Sequence, residues 1–370
     1  MYLRKREEYG AGKWSSLMSL EILVVDDSAL LRRVECDIIN SDNKFKVTDT
    51  CKDGLEALEK LRTKKYDGVV LDINMPRMDG LELLQQLQKE KIKANIVMAS
   101  TLTVEGANEA IKSLEIGAID FVTKPSNIIE AKGDAFKKAL LDVLYAATKA
   151  RVHLKKPSLV VAADKTAAAS VNRLKKPGQN KIIAIASSTG GPKALQSVIP
   201  KLPADIDAPV VLVQHMPAGF TRSMAARLNE LSKVQVKEAE DGELLKKGVV
   251  HIAPGGKHIV VKRKGAAHVI GYSDMPPIGG LKPCANIMFD SLGQTGFDEA
   301  VCVVLTGMGA DGTNGILSLG KKKSVHVIAQ DENSCIVYGM PRAIYEAGVV
   351  DEVVALSKVA ETITKNVGVK

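Results

Sequence analysis

The stretch Lys181–Leu195, KIIAIASSTGGPKAL, runs an apolar segment straight into Ser187-Ser188-Thr189-Gly190-Gly191-Pro192. A buried strand ending in hydroxyls and glycines, with a proline where a helix would start, is the pattern of a βα unit. Such a turn has three readings: a phosphate cradle at a helix N-terminus, a nucleophile on a sharp turn, or a plain connection. Neither G-x-G-x-x-G nor G-K-[ST] occurs here, which counts against a nucleotide site. The hydroxyls have to be weighed against what the rest of the chain brings to the same place.

The same alternation extends in both directions. After Lys181 the runs Ile182–Ala186, Pro209–Val213, Val301–Leu305 and Val325–Ala329 read as buried strands. Val249–Ile252, His258–Lys262 and His268–Tyr272 read as a meander, with turns at Pro254-Gly255-Gly256 and Lys264-Gly265. This half is therefore α/β with an antiparallel insertion. Before it, Ile22–Val25, Val69–Leu71, Ile96–Met98 and Ile119–Val122 alternate with helix-period segments such as Gly54–Leu61 and Gly80–Gln88, the signature of a parallel sheet. Residues 142–180, with two Lys-Lys-Pro punctuations, read as a basic linker between the halves. Residues 1–19 fit neither half and read as a tail.

Composition narrows the classes. An apolar fraction of 45% and a charged fraction of 25% are those of a soluble globular protein. No apolar run approaches a bilayer span, and the charged N-terminus lacks the apolar core of a signal peptide. The five cysteines are scattered, with no C-x-x-C pair, so a cytoplasmic protein without disulfides or zinc is expected. The net charge of +8 lies in the linker: nine Lys/Arg and one acid, Asp164, fall between Lys149 and Lys181. Nucleic-acid binding requires a basic face on a folded domain, so no nucleic-acid partner and no membrane insertion are expected.

In the first half, acids sit at strand ends. Asp26 and Asp27 end one strand and Asp72 another, while Lys124 ends a third before Pro125. Open parallel sheets bind ligands beyond the carboxyl ends of their strands. Three carboxylates gathered there repel one another, and Mg²⁺ with its hard oxygen ligands is the natural neutraliser. The combined pattern VVDDS…LDINMPRMDG…MAS…DFVTKP resembles the receiver domains of two-component signalling over residues 20–141. The resemblance implies a flavodoxin-like, five-stranded parallel sheet, with Asp72 as phospho-acceptor. It also implies Mg²⁺ on Asp27, Asp72 and the Asn74 backbone carbonyl, with Asp26 in support. Lys124 is then the phosphate-sensing cation, and Ser100 and Phe121 the switch pair.

In the second half, Ile182–Ala186 delivers Ser187 and Ser188, APVVLVQHMPAGF delivers His215, and AVCVVLTGMGADGTNG delivers Asp311. A serine needs a base to become a nucleophile, and the base needs a carboxylate to fix its tautomer. The order Ser…His…Asp and the absence of G-x-S-x-G disfavour an ordinary α/β-hydrolase. Gly307-Met308-Gly309 offers a further N–H toward an oxyanion. The stretches IAIASSTGGPKAL, VLVQHMPAGFTRSMAARLN, VKEAEDGE, HIAPGGKH, LTGMGADGTNG and AQDENSCIVYGMPRAIYEAG resemble the catalytic domain of bacterial chemotaxis protein-glutamate methylesterases, over 181–368.

That resemblance implies a doubly wound α/β domain with Ser188 as nucleophile, His215 as general base and Asp311 as its orienter. Thr189 and Met308 line the site, and the hydrolase site takes no cofactor. It implies a phosphorylation-activated hydrolase and glutaminase. Its partners would be methyl-accepting chemotaxis receptors and a chemotaxis histidine kinase as phosphodonor. A receiver-regulated, non-catalytic binding module is the alternative. Two departures stand out: Leu281-Lys282-Pro283-Cys284-Ala285-Asn286 replaces the family's usual His-x-Pro-Ser-Val-Asp, and Ser187 replaces a small Gly/Ala. Both are expected to lie clear of the triad.

Overall fold

The computed structural model describes residues 19–149 and 180–369, so most of the expected tail (1–19) and linker (142–180) lies outside the described residues. The first unit runs β1 (Leu20–Val25), α1 (Ala29–Asn40), β2 (Phe45–Cys51), α2 (Gly54–Thr63), β3 (Gly68–Asp72), α3 (Gly80–Lys89), β4 (Ile96–Ser100), α4 (Val104–Ile116), β5 (Asp120–Thr123), α5 (Ile128–Ala131) and α6 (Asp134–Lys149). Its five strands are parallel in the order β2-β1-β3-β4-β5. Helix starts are written locally: Ser28, Asp53 and Thr103 each accept a backbone N–H as N-caps, and Asp79 with Glu82 forms a capping box. Strand residues alternate between faces, so Ile22, Val24, Val70 and Val97 pack on α1 and α6 while Leu23, Val25, Leu71 and Met98 pack on α2, α3 and α4. Helix α6 runs through residue 141 to Lys149, past the point where the sequence pattern places the end of this unit.

The second unit contains β6 (Lys181–Ser187), α7 (Gly191–Val198), β7 (Val210–Gln214), α8 (Phe220–Leu231), β8 (Gln235–Glu238), β9 (Val249–Ile252), β10 (His258–Lys264), β11 (Ala267–Ser273), α9 (Ala285–Ser291), β12 (Glu299–Val304), α10 (Thr313–Gly320), β13 (Ser324–Gln330), α11 (Met340–Glu346), β14 (Glu352–Val354) and α12 (Leu356–Val367). Seven strands form one sheet in the order β14-β13-β12-β6-β7-β9-β8, all neighbours parallel. The chain winds outward from β6 on one side and restarts at β12 on the other, so the topological switch point lies at β6 and β12. Ile183, Ile185 and Val303 face α7, α8 and α12; Ile182, Ala184 and Cys302 face the opposite layer, where Phe289 of α9 is fully buried.

The antiparallel insertion is the pair β10–β11 alone. Val249–Ile252, expected in a meander with it, is instead β9, parallel between β7 and β8 and buried throughout. Among the described residues, no helix is long and apolar enough to cross a membrane. Removing the ring of Phe289 leaves a cavity between α9 and the sheet. Phe289→Ala is expected to destabilise the second unit by about 3–5 kcal/mol, seen as a lower urea midpoint for that unit by circular dichroism.

Candidate active site at the strand ends

The two serines at the end of β6 have different surroundings. Ser187 is fully buried, and its hydroxyl donates to Gln214 Oε1 at 2.7 Å. Gln214 Nε2 in turn reaches the carbonyls of Ser188 (2.9 Å) and His215 (3.1 Å). One buried amide thus ties the ends of β6 and β7 together and consumes the Ser187 hydroxyl. Ser188 lies one residue on, half-buried, in the turn closed by Gly191 N–H donating to its carbonyl at 2.7 Å. The tie leaves no space for a side chain on the turn: a Cβ on Gly191 would sit 1.9 Å from Gln214 Oε1. Gly307 is confined in the same way, its notional Cβ falling 2.8 Å from Ser188 Cβ.

His215 and Asp311 meet across the sheet. His215 Nε2 and Asp311 Oδ2 are 2.8 Å apart, with side chains only 8% and 4% exposed. Burial pushes the Asp311 carboxyl upward, but the His215 ring, the Ala285 N–H and the Cys284 thiol outweigh it and hold the group at about 2. An ionised Asp311 only accepts, which assigns the proton to Nε2 and leaves Nδ1 as the basic nitrogen. Nδ1 is buried and has no hydrogen-bond partner. Among the described residues, no hydrogen bond joins Ser188 Oγ to the ring. Apo catalytic hydrogen bonds commonly tighten only with substrate.

The support beneath the turn is built by residues that the sequence reading did not single out, although they lie within the stretches quoted above. Thr306 Oγ1 donates toward the Thr189 carbonyl (3.0 Å) and accepts Val337 N–H (2.9 Å). Gln330 Oε1 accepts Thr306 N–H at 2.8 Å. Thr189 is buried and Met308 half-buried beside this support. Gly307 N–H is taken by Val337 O at 3.0 Å, so it is not a free donor in the glycine-rich loop.

The 281–286 segment, expected clear of the triad, bears directly on it. Asp311 Oδ1 accepts from the Cys284 thiol (3.1 Å) and Asn286 N–H (3.0 Å), and Oδ2 accepts from Ala285 N–H (2.6 Å). Asn286 Oδ1 accepts Gly312 N–H and Gly315 N–H, locking the loop that carries Asp311. The six-residue segment by itself could not show that the first turn of α9 would close on a loop 25 residues later. The Ser187 substitution likewise sits inside the site's support.

In the first unit the expected acids converge. Asp26, Asp27 and Asp72 place carboxylate oxygens within 4.8 Å of one another. Lys124 Nζ bridges Asp26 (2.6 Å) and Asp72 (2.7 Å). Burial raises the Asp72 carboxyl to about 6, against the pull of Lys124. An all-oxygen, carboxylate-rich donor set beside the Asn74 backbone fits Mg²⁺. Ser100 Oγ donates to Gly106 O of α4 at 2.7 Å, so in this conformer the hydroxyl serves α4.

Phe121, the other residue expected to form the switch pair, faces the other unit. Its ring stacks on Phe220 of α8 with centroids 4.5 Å apart. Next to it, the Asp120 carboxyl lies close to the Gly190 N–H and the Thr189 hydroxyl, on the two residues after Ser188; burial raises this carboxyl to about 7, against the pull of those two donors. Glu115 of α4 pairs with Arg227 of α8 at 2.6 Å and accepts from Gln196 of α7. The first unit therefore touches the turn that holds Ser188.

A family model described as CheB methylesterase matches residues 183–363, and one described as response regulator receiver domain matches residues 22–132. A protein-glutamate methylesterase/protein-glutamine glutaminase of Halalkalibacterium halodurans is 41% identical over 348 residues, covering 94% of this chain and 98% of its own. One of Bacillus subtilis is 42% identical over 351 residues, covering 93% and 98%. A crystal structure of the Thermotoga maritima CheB methylesterase catalytic domain is 40% identical, spans 50% of this chain and 98% of its own, and has a TM-score of 0.49.

The different standing of the two serines is measurable in the folded protein. Ser187→Ala strands a buried Gln214 oxygen and is expected to cost about 1–3 kcal/mol. Ser188→Ala breaks no hydrogen bond made by its hydroxyl and should stay within about 0.5 kcal/mol of wild type. Urea denaturation of both variants checks the order.

Proposed function

Because the chain belongs to the CheB methylesterase family, with a receiver domain ahead of the catalytic one, we propose that it is a phosphorylation-activated serine hydrolase. It removes methyl groups from glutamyl methyl esters on chemoreceptors and deamidates certain receptor glutamines. The observation that carries this reading is the buried Asp311–His215 pair at the strand end adjoining that of Ser188, with His215 Nδ1 left unpaired among the described residues. As Ser188 Oγ attacks the ester or amide carbonyl, Nδ1 takes its proton and Asp311 stabilises the imidazolium. Methanol or ammonia leaves with that proton, and water then hydrolyses the acyl-enzyme through the same base. Thr189 and Met308 line the acyl pocket, and the positive end of the α7 dipole favours the developing oxyanion.

The receiver contact supplies the regulation. With Asp72 unmodified, Asp120 faces the Gly190 N–H and Thr189 hydroxyl, donors that lie beside the nucleophile, and the receiver shields the cleft from a receptor helix. The contact is modest in strength. An aromatic stack adds about 0.5–1.5 kcal/mol beyond its burial, and a largely exposed ion pair such as Glu115–Arg227 adds under about 1 kcal/mol. Phosphorylation of Asp72 by a chemotaxis histidine kinase adds charge and acceptor oxygens next to Lys124 and Ser100. Drawing Ser100 from Gly106 reshapes the start of α4, whose far end carries Glu115. Mg²⁺ held by Asp27, Asp72 and the Asn74 carbonyl, with Asp26 in support, would neutralise the phosphoryl charge. The protein would work in the cytoplasm, where receptor methylation sites and the kinase are accessible.

Methanol release from methylated receptor membranes tests the site, with and without a small-molecule phosphodonor. Ser188→Ala is expected to lower turnover at least about 10³-fold; wild-type turnover in that variant removes the nucleophile assignment. Asp120→Ala should raise release in the absence of phosphodonor several-fold, toward the phosphorylated level. An unchanged basal rate would show that this contact does not restrain the enzyme.

A further inference from the structure

The carboxylate that holds His215 is itself held by five donors, and one of them differs in kind from the rest. Ala285, Asn286 and Gly312 donate backbone N–H groups to Asp311, and His215 donates Nε2–H. The fifth is the thiol of Cys284, 3.1 Å from Oδ1. Cys284 is 1% exposed and is the N-cap of α9, yet its side chain caps no N–H of its own helix. Its sulfur is turned to Asp311 instead. The backbone of Cys284 is fixed from the other side: its N–H donates to His258 Nδ1 at 3.1 Å, and His258 Nε2 reaches Pro276 O at 3.1 Å. Since a carbonyl only accepts, His258 carries its proton on Nε2 and is neutral in this arrangement.

We propose that Cys284 is a positioning residue of the hydrolytic site, its S–H donation to Asp311 setting how firmly that carboxylate holds the charged form of His215. The proposal rests on the triad reading above. A thiol is a weak donor, so it neutralises Asp311 less than a hydroxyl at the same place would. More negative charge remains on the carboxylate, and the imidazolium opposite is favoured. The thiol stays protonated: burial and the adjacent Asp311 push it up to about 12. The other titratable groups facing this cluster among the described residues are His258 of β10, whose ionisation burial disfavours, and Lys282, whose ammonium is directed to Met275 O.

Two substitutions move Asp311 in opposite directions. Cys284→Ala removes a donor, and Cys284→Ser supplies a stronger one at a helix N-cap that favours serine. In the full-length protein with phosphodonor, the acidic limb of the pH profile of kcat/KM is expected to rise by about half a pH unit in the alanine variant. It should fall by a similar amount in the serine variant. The His215 ring resonances, followed by NMR across the same pH range, should shift in the same order. A cavity effect alone would lower turnover or stability without this opposed pair of shifts. Limbs and resonances that stay in place, or move the same way in both variants, overturn the proposal. If the alanine variant fails to fold, the serine variant still decides, since it must shift downward. Loss of the triad reading is a separate outcome: Ser188→Ala would keep its turnover, while the His215 resonances would still report whether Cys284 acts on the Asp311–His215 pair.

Discussion

Strand β6 is hydrogen-bonded on both sides, to β7 with Ser187 opposite Gln214 and to β12 with Ala186 opposite Val304. That double pairing is the constraint on which the site depends. Side chains alternate along a strand, so a slip of one residue would exchange Ser187 with Ser188 and send the wrong hydroxyl into the core. The Ser187–Gln214 bond pins the register from inside, where an unmet amide would be costly. The backbone fixes three strand ends, and that sets a serine, an imidazole and a carboxylate far apart in sequence at adjoining ends of one sheet.

Both halves use the same architectural rule for different chemistry. In the receiver, carboxylates gathered at strand ends form an anionic pocket that Lys124 partly offsets. In the catalytic unit, a single carboxylate at a strand end is surrounded by donors and made strongly acidic. The first arrangement raises the Asp72 carboxyl and the second lowers that of Asp311, although both groups are buried. Burial alone therefore does not set the sign; the number of donors aimed at each carboxylate does.

The parallel strands, their order of appearance and the residues at their ends were legible because long apolar runs and glycine turns are local signals. Asp26, Asp27, Asp72 and Lys124 meet as expected, and His215 and Asp311 do so across a gap of 96 residues. Strands β2 and β8 were not visible, since FKVTDTC and QVKE are edge strands with polar residues facing solvent. For Val249–Ile252, the following Pro-Gly-Gly turn suggested a hairpin with what comes after it, while its parallel partners β7 and β8 both precede it. Gln214, Thr306 and Gln330 lie within the quoted stretches, yet nothing local in the sequence marks them as structural supports. Their importance comes from buried hydrogen bonds whose other halves belong to distant strands. The same holds for Cys284, whose neighbour in space is Asp311.

The contact between Asp120 and the Thr189-Gly190 turn has a thermodynamic corollary on the proposed reading. A receptor segment and the receiver compete for the same donors, so binding of one is linked to release of the other. Linkage is reciprocal: whatever factor phosphorylation adds to receptor affinity, bound receptor must add to the affinity of the receiver for its phosphorylated state. Enzyme engaged on a receptor would therefore hold its activated form more readily than free enzyme, without any contact dedicated to that purpose.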